Sequence, residues 1–256
     1  MNNLQPINQT KLFGLKKYIT ELIKLDKKDN LPNKILLSGP KGLGKSTLAY
    51  HFINYVLSKN EALNYNIDDL EINSNSPSFK TILNRSNPNL ILVDTNPEKK
   101  SIDINQIREL ISNLNKSSFN EKPRFILIDN IELLNVNSVN ALLKILEEPT
   151  YNVNFILINN NKKILPTLLS RCINFKISLT NNESLAVADK LLDGNLHEMI
   201  NKDLINYYLT PGKIFNLAKF GKLNKYDLIN FDLKQLLIVI IKNNHYKKDD
   251  LIKYLI

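Results

Sequence analysis

Four short runs of consecutive apolar residues, rich in β-branched side chains, mark the first 160 positions: Ile35-Leu36-Leu37, Leu90-Ile91-Leu92-Val93, Phe125-Ile126-Leu127-Ile128 and Phe155-Ile156-Leu157-Ile158. Apolarity is continuous within each run rather than alternating, which predicts strands covered on both faces, as in a parallel sheet. A fifth, weaker run alternates: Ile173-Asn174-Phe175-Lys176-Ile177. Between the runs, Ser46–Leu57, Ile104–Leu114 and Val136–Glu148 carry apolar residues at helical spacing. Strand alternating with helix predicts a doubly wound α/β domain with a five-stranded parallel sheet. Beyond Ile177 the strand signals stop. Residues 181–220 read as short helices broken at Thr210-Pro211-Gly212, and helical spacing returns over Leu228–Ile241 and Leu251–Ile256. The expected division is therefore an α/β domain over 1–180, a small helical domain over 181–220 and a helical C-terminal piece over 221–256. The stretch Asn73-Ser74-Asn75-Ser76-Pro77 reads as a loop, and no internal repeat is present.

Charge adds one possibility and composition removes several. There are 34 basic against 25 acidic residues, a formal net charge of +9. That excess suits an anionic partner such as nucleic acid, and equally a solvated lysine-rich surface. The single cysteine, Cys172, excludes an intramolecular disulfide and a cysteine-based zinc cluster. His51, His197 and His245 are isolated and show no metal-ligand spacing. The start, Met1-Asn2-Asn3-Leu4-Gln5-Pro6, lacks the basic and apolar regions of a signal peptide. The most apolar run, Leu236–Ile241, is bounded by Lys234 and Lys242 and is too short to span a bilayer. A cytoplasmic protein without a membrane partner is expected.

The most specific motif is Gly39-Pro40-Lys41-Gly42-Leu43-Gly44-Lys45-Ser46-Thr47, a full match to the phosphate-binding loop G-x-x-x-x-G-K-[ST]. It follows a predicted strand and opens a predicted helix, the context the motif requires. Three of the chain's seven glycines fall within these nine residues. Glycines let backbone N–H groups converge on phosphate oxygens, and the following helix adds its positive end. Lys45 would contact the β- and γ-phosphates, and the Ser46 hydroxyl would hold Mg²⁺. Thr47 completes the candidate set. The third apolar run ends in Asp129, at the sheet edge where a carboxylate can help Ser46 hold Mg²⁺. Many P-loop ATPases place a glutamate next, to polarise the attacking water. This chain has Asn130, and an amide cannot take a proton. Glu132, two positions on, is a possible substitute where the chain is expected to turn. The expectation is ATP/Mg²⁺ binding with poor hydrolysis by this chain alone.

Several blocks taken together resemble the bacterial clamp-loader ATPases of the AAA+ class. They are Leu31-Pro32-Asn33-Lys34, Asn87-Pro88-Asn89-Leu90, Ile102–Arg108, Asn140-Ala141-Leu142-Leu143-Lys144-Ile145-Leu146-Glu147-Glu148-Pro149 and Leu169-Ser170-Arg171-Cys172. The resemblance covers about residues 1–220 and, around the acidic strand end, is to the delta-prime branch. It implies an AAA+ ATPase domain, a helical lid and a helical collar, in a pentamer that places the sliding clamp on primed DNA within the DNA polymerase III holoenzyme. Implied partners are gamma/tau-like ATPase subunits, a delta-like subunit, the clamp and primed DNA. It also implies that Arg171 is an arginine finger acting in trans, and that Asn159 or Asn160 is the sensor-1 residue facing the γ-phosphate, with Asn159 taken first. Glu147 and Glu148, at a helix end where negative charge opposes the macrodipole, are candidate interface residues. Three departures stand out. The four-cysteine zinc module of many members is missing from Asn60–Asn89, so no zinc is expected. The sensor-2 arginine has no counterpart better than Lys213, and the C-terminal piece is shorter than a full collar.

Overall fold

A computed structural model describes residues 4–95, 101–114, 120–147 and 152–248. The chain divides into two compact units. One comprises Gln5–Gly39 and Lys45–Ile177; the other comprises Met1–Leu4, Pro40–Gly44 and Ser178–Ile256.

The larger unit runs α1 (Lys16–Lys27), β1 (Lys34–Ser38), α2 (Lys45–Ser58), α3 (Pro77–Leu83), β2 (Leu90–Val93), α4 (Ile104–Leu114), β3 (Arg124–Ile128), α5 (Val136–Glu147), β4 (Val153–Asn159), α6 (Pro166–Leu169) and β5 (Ile173–Lys176). All five strands are parallel, in the order β2-β3-β4-β1-β5. Successive side chains of a strand point to opposite faces, and the core follows that alternation. Ile126 and Ile128 of β3 and Phe155 and Leu157 of β4 share a core cluster with Ile107 and Leu110 of α4 and Leu142 and Leu146 of α5. On the opposite face, Phe125 of β3 meets Phe52 of α2 edge to face, centroids 6.2 Å apart. Both faces are thus apolar, which is why the strand runs read as continuous. β5 lies at the sheet edge with Ile173 exposed, which accounts for its weaker alternating pattern.

The smaller unit contains α7 (Asn181–Leu192), α8 (Lys202–Tyr208), α9 (Pro211–Asn224), α10 (Leu233–Lys242) and α11 (His245–Lys248). Leu228, Leu236 and Ile240 join the core formed by Leu204 and Ile205 of α8 and Ile214, Leu217 and Phe220 of α9. Helical spacing was expected from Leu228, but α10 starts at Leu233. Asp232 caps it, accepting from the Gln235 amide at 2.7 Å in a capping box, so Leu228 reaches the core from a turn. Residues 251–256 lie outside the described residues. Among the described residues no helix is long and apolar enough to cross a membrane.

Among the elements that the apolar pattern does not predict are α1, α3 and the four-residue α6. α1 buries Tyr18, Ile19, Leu22 and Ile23 along one stripe. α3 begins where the Asn73–Pro77 loop ends, because Ser76 accepts from the Phe79 amide and Pro77 is suited to a first helical position. A carboxylate knot ties this region to α2. Glu61 accepts from the Ser76 hydroxyl at 2.7 Å and the Ser78 hydroxyl at 2.5 Å, and Lys122 Nζ lies 3.4 Å away. Burial alone would raise the Glu61 carboxyl; the bonds from Ser78 and Ser76, with Lys122, outweigh it and leave the carboxyl below its usual range. Glu61→Ala should destabilise the chain by about 2 kcal/mol, because it strands donors that face a charged acceptor. Urea unfolding checks this, and a change below about 0.5 kcal/mol would show the knot to be incidental.

His51 of α2 is fully buried. Its Nε2 lies 3.1 Å from the Gln9 carbonyl and its Nδ1 lies 3.0 Å from the Tyr65 hydroxyl. A carbonyl only accepts, so Nε2 carries the proton and Nδ1 accepts from Tyr65. Burial pushes the imidazole pKa down to about 4, against a smaller opposing effect of the Gln9 bond. The unfolded chain therefore binds the extra proton first. Stability is complete above the ordinary histidine range of about 6.5 and falls as pH drops toward 4, by up to about 3 kcal/mol. Denaturation midpoints between pH 7 and 4 should fall more steeply for the native chain than for His51→Gln.

Candidate nucleotide site

The site grows from the carboxyl ends of β1, β3 and β4, which lie side by side in the sheet. After β1 the chain turns through Gly39, Gly42 and Gly44 at φ of +149°, +94° and +86°. These values are rarely open to other L-residues. Lys45 and Ser46 then open α2, with half-buried Thr47 in the same first turn. The tip, Pro40–Gly44, belongs with the smaller unit, in which the Gly212 amide donates to the Gly42 carbonyl at 2.9 Å and the Thr210 hydroxyl donates to the Lys41 carbonyl at 3.0 Å. A Cβ on Gly212 would sit 2.9 Å from Gly42 Cα, so this approach requires glycine. Lys213 follows in the first turn of α9.

Lys45 is 3% exposed, and its ammonium donates to the Gly39 carbonyl at 2.8 Å and to Asn160 Oδ1 at 3.0 Å. The Ser46 hydroxyl donates to Asp129 Oδ2 at 2.5 Å. Burial raises the Asp129 carboxyl above its ordinary range, partly offset by the Ser46 bond, while the charge of Asp94 raises it further. A nearby cation would act the other way. One hydroxyl and one carboxylate form a sparse oxygen set. It fits Mg²⁺, which keeps several waters and borrows phosphate oxygens. Among the described residues no group of three or more His, Cys, Asp or Glu could hold a metal by itself.

Of the two sensor-1 candidates, Asn159 donates from its side-chain amide to the Lys162 carbonyl at 2.9 Å and accepts from the Lys162 backbone amide at 3.0 Å, closing its own turn. Asn160 is the residue beside Lys45. Asn130 sits in the left-handed region at φ +57° and donates from Nδ2 to Asp94 Oδ1 at 2.9 Å. The turn at Ile131–Leu133 brings Glu132 back toward the sheet, where its carboxylate accepts from the Asn160 side chain at 2.9 Å. Asp94 was missed, although Leu90-Ile91-Leu92-Val93-Asp94 repeats the pattern of the run ending at Asp129.

Arg171 follows α6. One guanidinium nitrogen donates to the Thr167 carbonyl at 2.7 Å and another pairs with Glu147, the last described residue of α5. The Arg171 side chain remains 31% exposed. Glu148 and Pro149 lie outside the described residues. Cys172 is half-buried against the α4–α5 core, and burial pushes its thiol up to about 11.

A parallel sheet ordered β2-β3-β4-β1-β5, a glycine-rich loop after β1 and a carboxylate ending β3 define a P-loop protein of the AAA+ class. The chain belongs to the DNA polymerase III clamp-loader family, for the family model described as "DNA polymerase III, delta subunit" matches residues 14–181. It is 29% identical over 139 residues to DNA polymerase III subunit delta' of Pseudomonas aeruginosa, covering 54% of this chain and 40% of that one. It is 30% identical over 172 residues to subunit gamma/tau of Mycoplasma genitalium, covering 67% of this chain and 27% of that one. The chain thus spans less than half the length of either relative. A solved DNA polymerase III gamma subunit-related protein of Thermotoga maritima aligns with 91% of this chain and 82% of its own at 15% identity, with a TM-score of 0.45.

Proposed function

We propose that this chain is a delta-prime-like subunit of a cytoplasmic clamp loader. It binds ATP with Mg²⁺ but turns it over poorly, and it presents Arg171 to nucleotide held by a neighbouring gamma/tau-like subunit. In this reading residues 1–180 act as the AAA+ domain, 181–220 as its lid and 221–256 as part of a collar. The assembly, with a delta-like subunit, loads the sliding clamp on primed DNA. Lys45 would bind the β- and γ-phosphates, and Ser46 with Asp129 would hold the Mg²⁺, whose charge neutralises phosphate oxygens when bound. Gly39, Gly42, Gly44 and Thr47 would shape the phosphate cradle.

The observation that carries the division of labour is Asn130. At the position after Asp129 it supplies an amide whose nitrogen is already donating to Asp94. It has no basic site for a water proton. A second reading, a gamma/tau-like motor, is favoured by Glu132, a carboxylate that does face the site through Asn160. Turnover separates the two. Under the first, the purified chain hydrolyses ATP far more slowly than one per second and raises turnover when mixed with gamma/tau-type subunits. Turnover of many per second by the chain alone, unchanged by Asn130→Ala, would establish the motor instead.

A further inference from the structure

A hydrogen-bond chain crosses the phosphate site with a single polarity. Lys45 Nζ donates to Asn160 Oδ1 at 3.0 Å, Asn160 Nδ2 donates to Asn130 Oδ1 at 2.8 Å, and Asn130 Nδ2 donates to Asp94 Oδ1 at 2.9 Å. Glu132 is a second terminus. Its two oxygens accept from Asn160 Nδ2 at 2.9 Å and from the Asn160 backbone amide at 3.3 Å. Every donor points away from the ammonium and toward a carboxylate.

The ends dictate the middle. An ammonium can only donate and a carboxylate can only accept. With Lys45 on one side and Glu132 on the other, Asn160 has one satisfactory orientation: carbonyl oxygen toward Lys45, NH₂ toward Glu132. That orientation is wrong for phosphate. A terminal phosphate is an acceptor and needs the NH₂; the carbonyl oxygen repels it. The Glu132 carboxylate, one residue removed, adds repulsion of the same sign. The arrangement also gives Asn130 a use, since a glutamate in its place could not donate onward to Asp94.

We infer that Glu132 is a positioning residue which, by holding the Asn160 carbonyl toward Lys45, biases this site toward a nucleoside diphosphate and against a triphosphate. The inference rests on the P-loop being a nucleotide site. It makes the phosphate preference a property of two residues beyond the loop motif.

Calorimetric titration of the full chain with ADP and with a non-hydrolysable ATP analogue, both with Mg²⁺, tests it. Glu132→Gln should shift the affinity ratio toward the triphosphate by about tenfold, with the ADP affinity and the unfolding midpoint little changed. Gln can both donate and accept, so only the Asn130–Asp94 arm still opposes turning of the Asn160 amide once a terminal phosphate takes the Lys45 ammonium. Glu132→Ala, which removes the acceptor altogether, should shift the ratio in the same direction and serves if the Gln variant folds poorly. A merely structural role would change stability and leave the ratio alone. A ratio within about twofold of the native value in both variants, with ADP still bound, overturns the inference and leaves the nucleotide site standing. Binding of neither nucleotide by the native chain, indistinguishable from Lys45→Ala, removes the nucleotide site and the inference with it.

Discussion

Replacing Arg171 with alanine should lower ATP turnover at the one gamma/tau-like site it faces by ~10³-fold or more, while hardly changing the stability of this chain. The two halves of that expectation come from different physics. Locally, Arg171 pairs with Glu147 at the surface, where both side chains keep solvent contact. Such exposed pairs contribute ~0–1 kcal/mol, so a residue that merely closed a local ion pair would leave no functional trace. In trans, a planar and permanently charged fork placed against a γ-phosphate stabilises charge that grows in the transition state. Arg171→Lys should recover little of the rate, because a point ammonium lacks the fork. Steady-state turnover of a reconstituted assembly in which only the neighbouring subunit keeps a functional phosphate loop, read beside the melting curve of the isolated chain, checks both halves. Turnover within about twofold of native would return Arg171 to its local pairing with Glu147.

The second large effect falls on Lys45. Nucleotide at ~100 times its Kd should stabilise the native chain by ~2.7 kcal/mol, and Lys45→Ala should abolish that gain. The comparison is between nucleotide-bound and nucleotide-free melting of each protein. The substitution has its own price: it strands the Gly39 carbonyl and the Asn160 amide inside the fold, at about 1–3 kcal/mol. A variant that melts lower but still gains stability from ATP would show that the loop binds phosphate without its lysine, or not there. Ser46→Ala is the companion. It removes the hydroxyl bonded to Asp129 and should make the remaining gain insensitive to Mg²⁺.

What was legible in the chain followed from how strongly local chemistry constrains it. The sheet could be read because β1, β3 and β4 are buried on both faces, which leaves uninterrupted apolar runs. The phosphate loop could be read because its backbone angles are rarely open to residues other than glycine, which marks the spacing in the chain. α1 was missed although its buried stripe is regular, since Lys16, Lys17, Lys24 and Lys27 dilute the apolar signal. The start of α10 was misplaced because Leu228 reaches the core from a turn, and periodicity does not distinguish that from a helical position. Within the site, Asn159 and Asn160 are the same residue type on adjacent positions. Only the turn that Asn159 closes onto Lys162 separates them. Asp94 and Glu132 become neighbours of Asn130 and Asn160 through sheet order and a left-handed turn, and single-residue patterns do not carry that information.

Clamp loading requires this chain to be one subunit among several, and the most direct measurement is the mass of the species it forms. The purified chain should be mixed with gamma/tau-type and delta-type subunits and followed by size-exclusion chromatography with light scattering. A stoichiometric complex containing this chain is expected, retained when Lys45 or Arg171 is replaced. Elution of the chain alone, at every concentration and with nucleotide present, would contradict it.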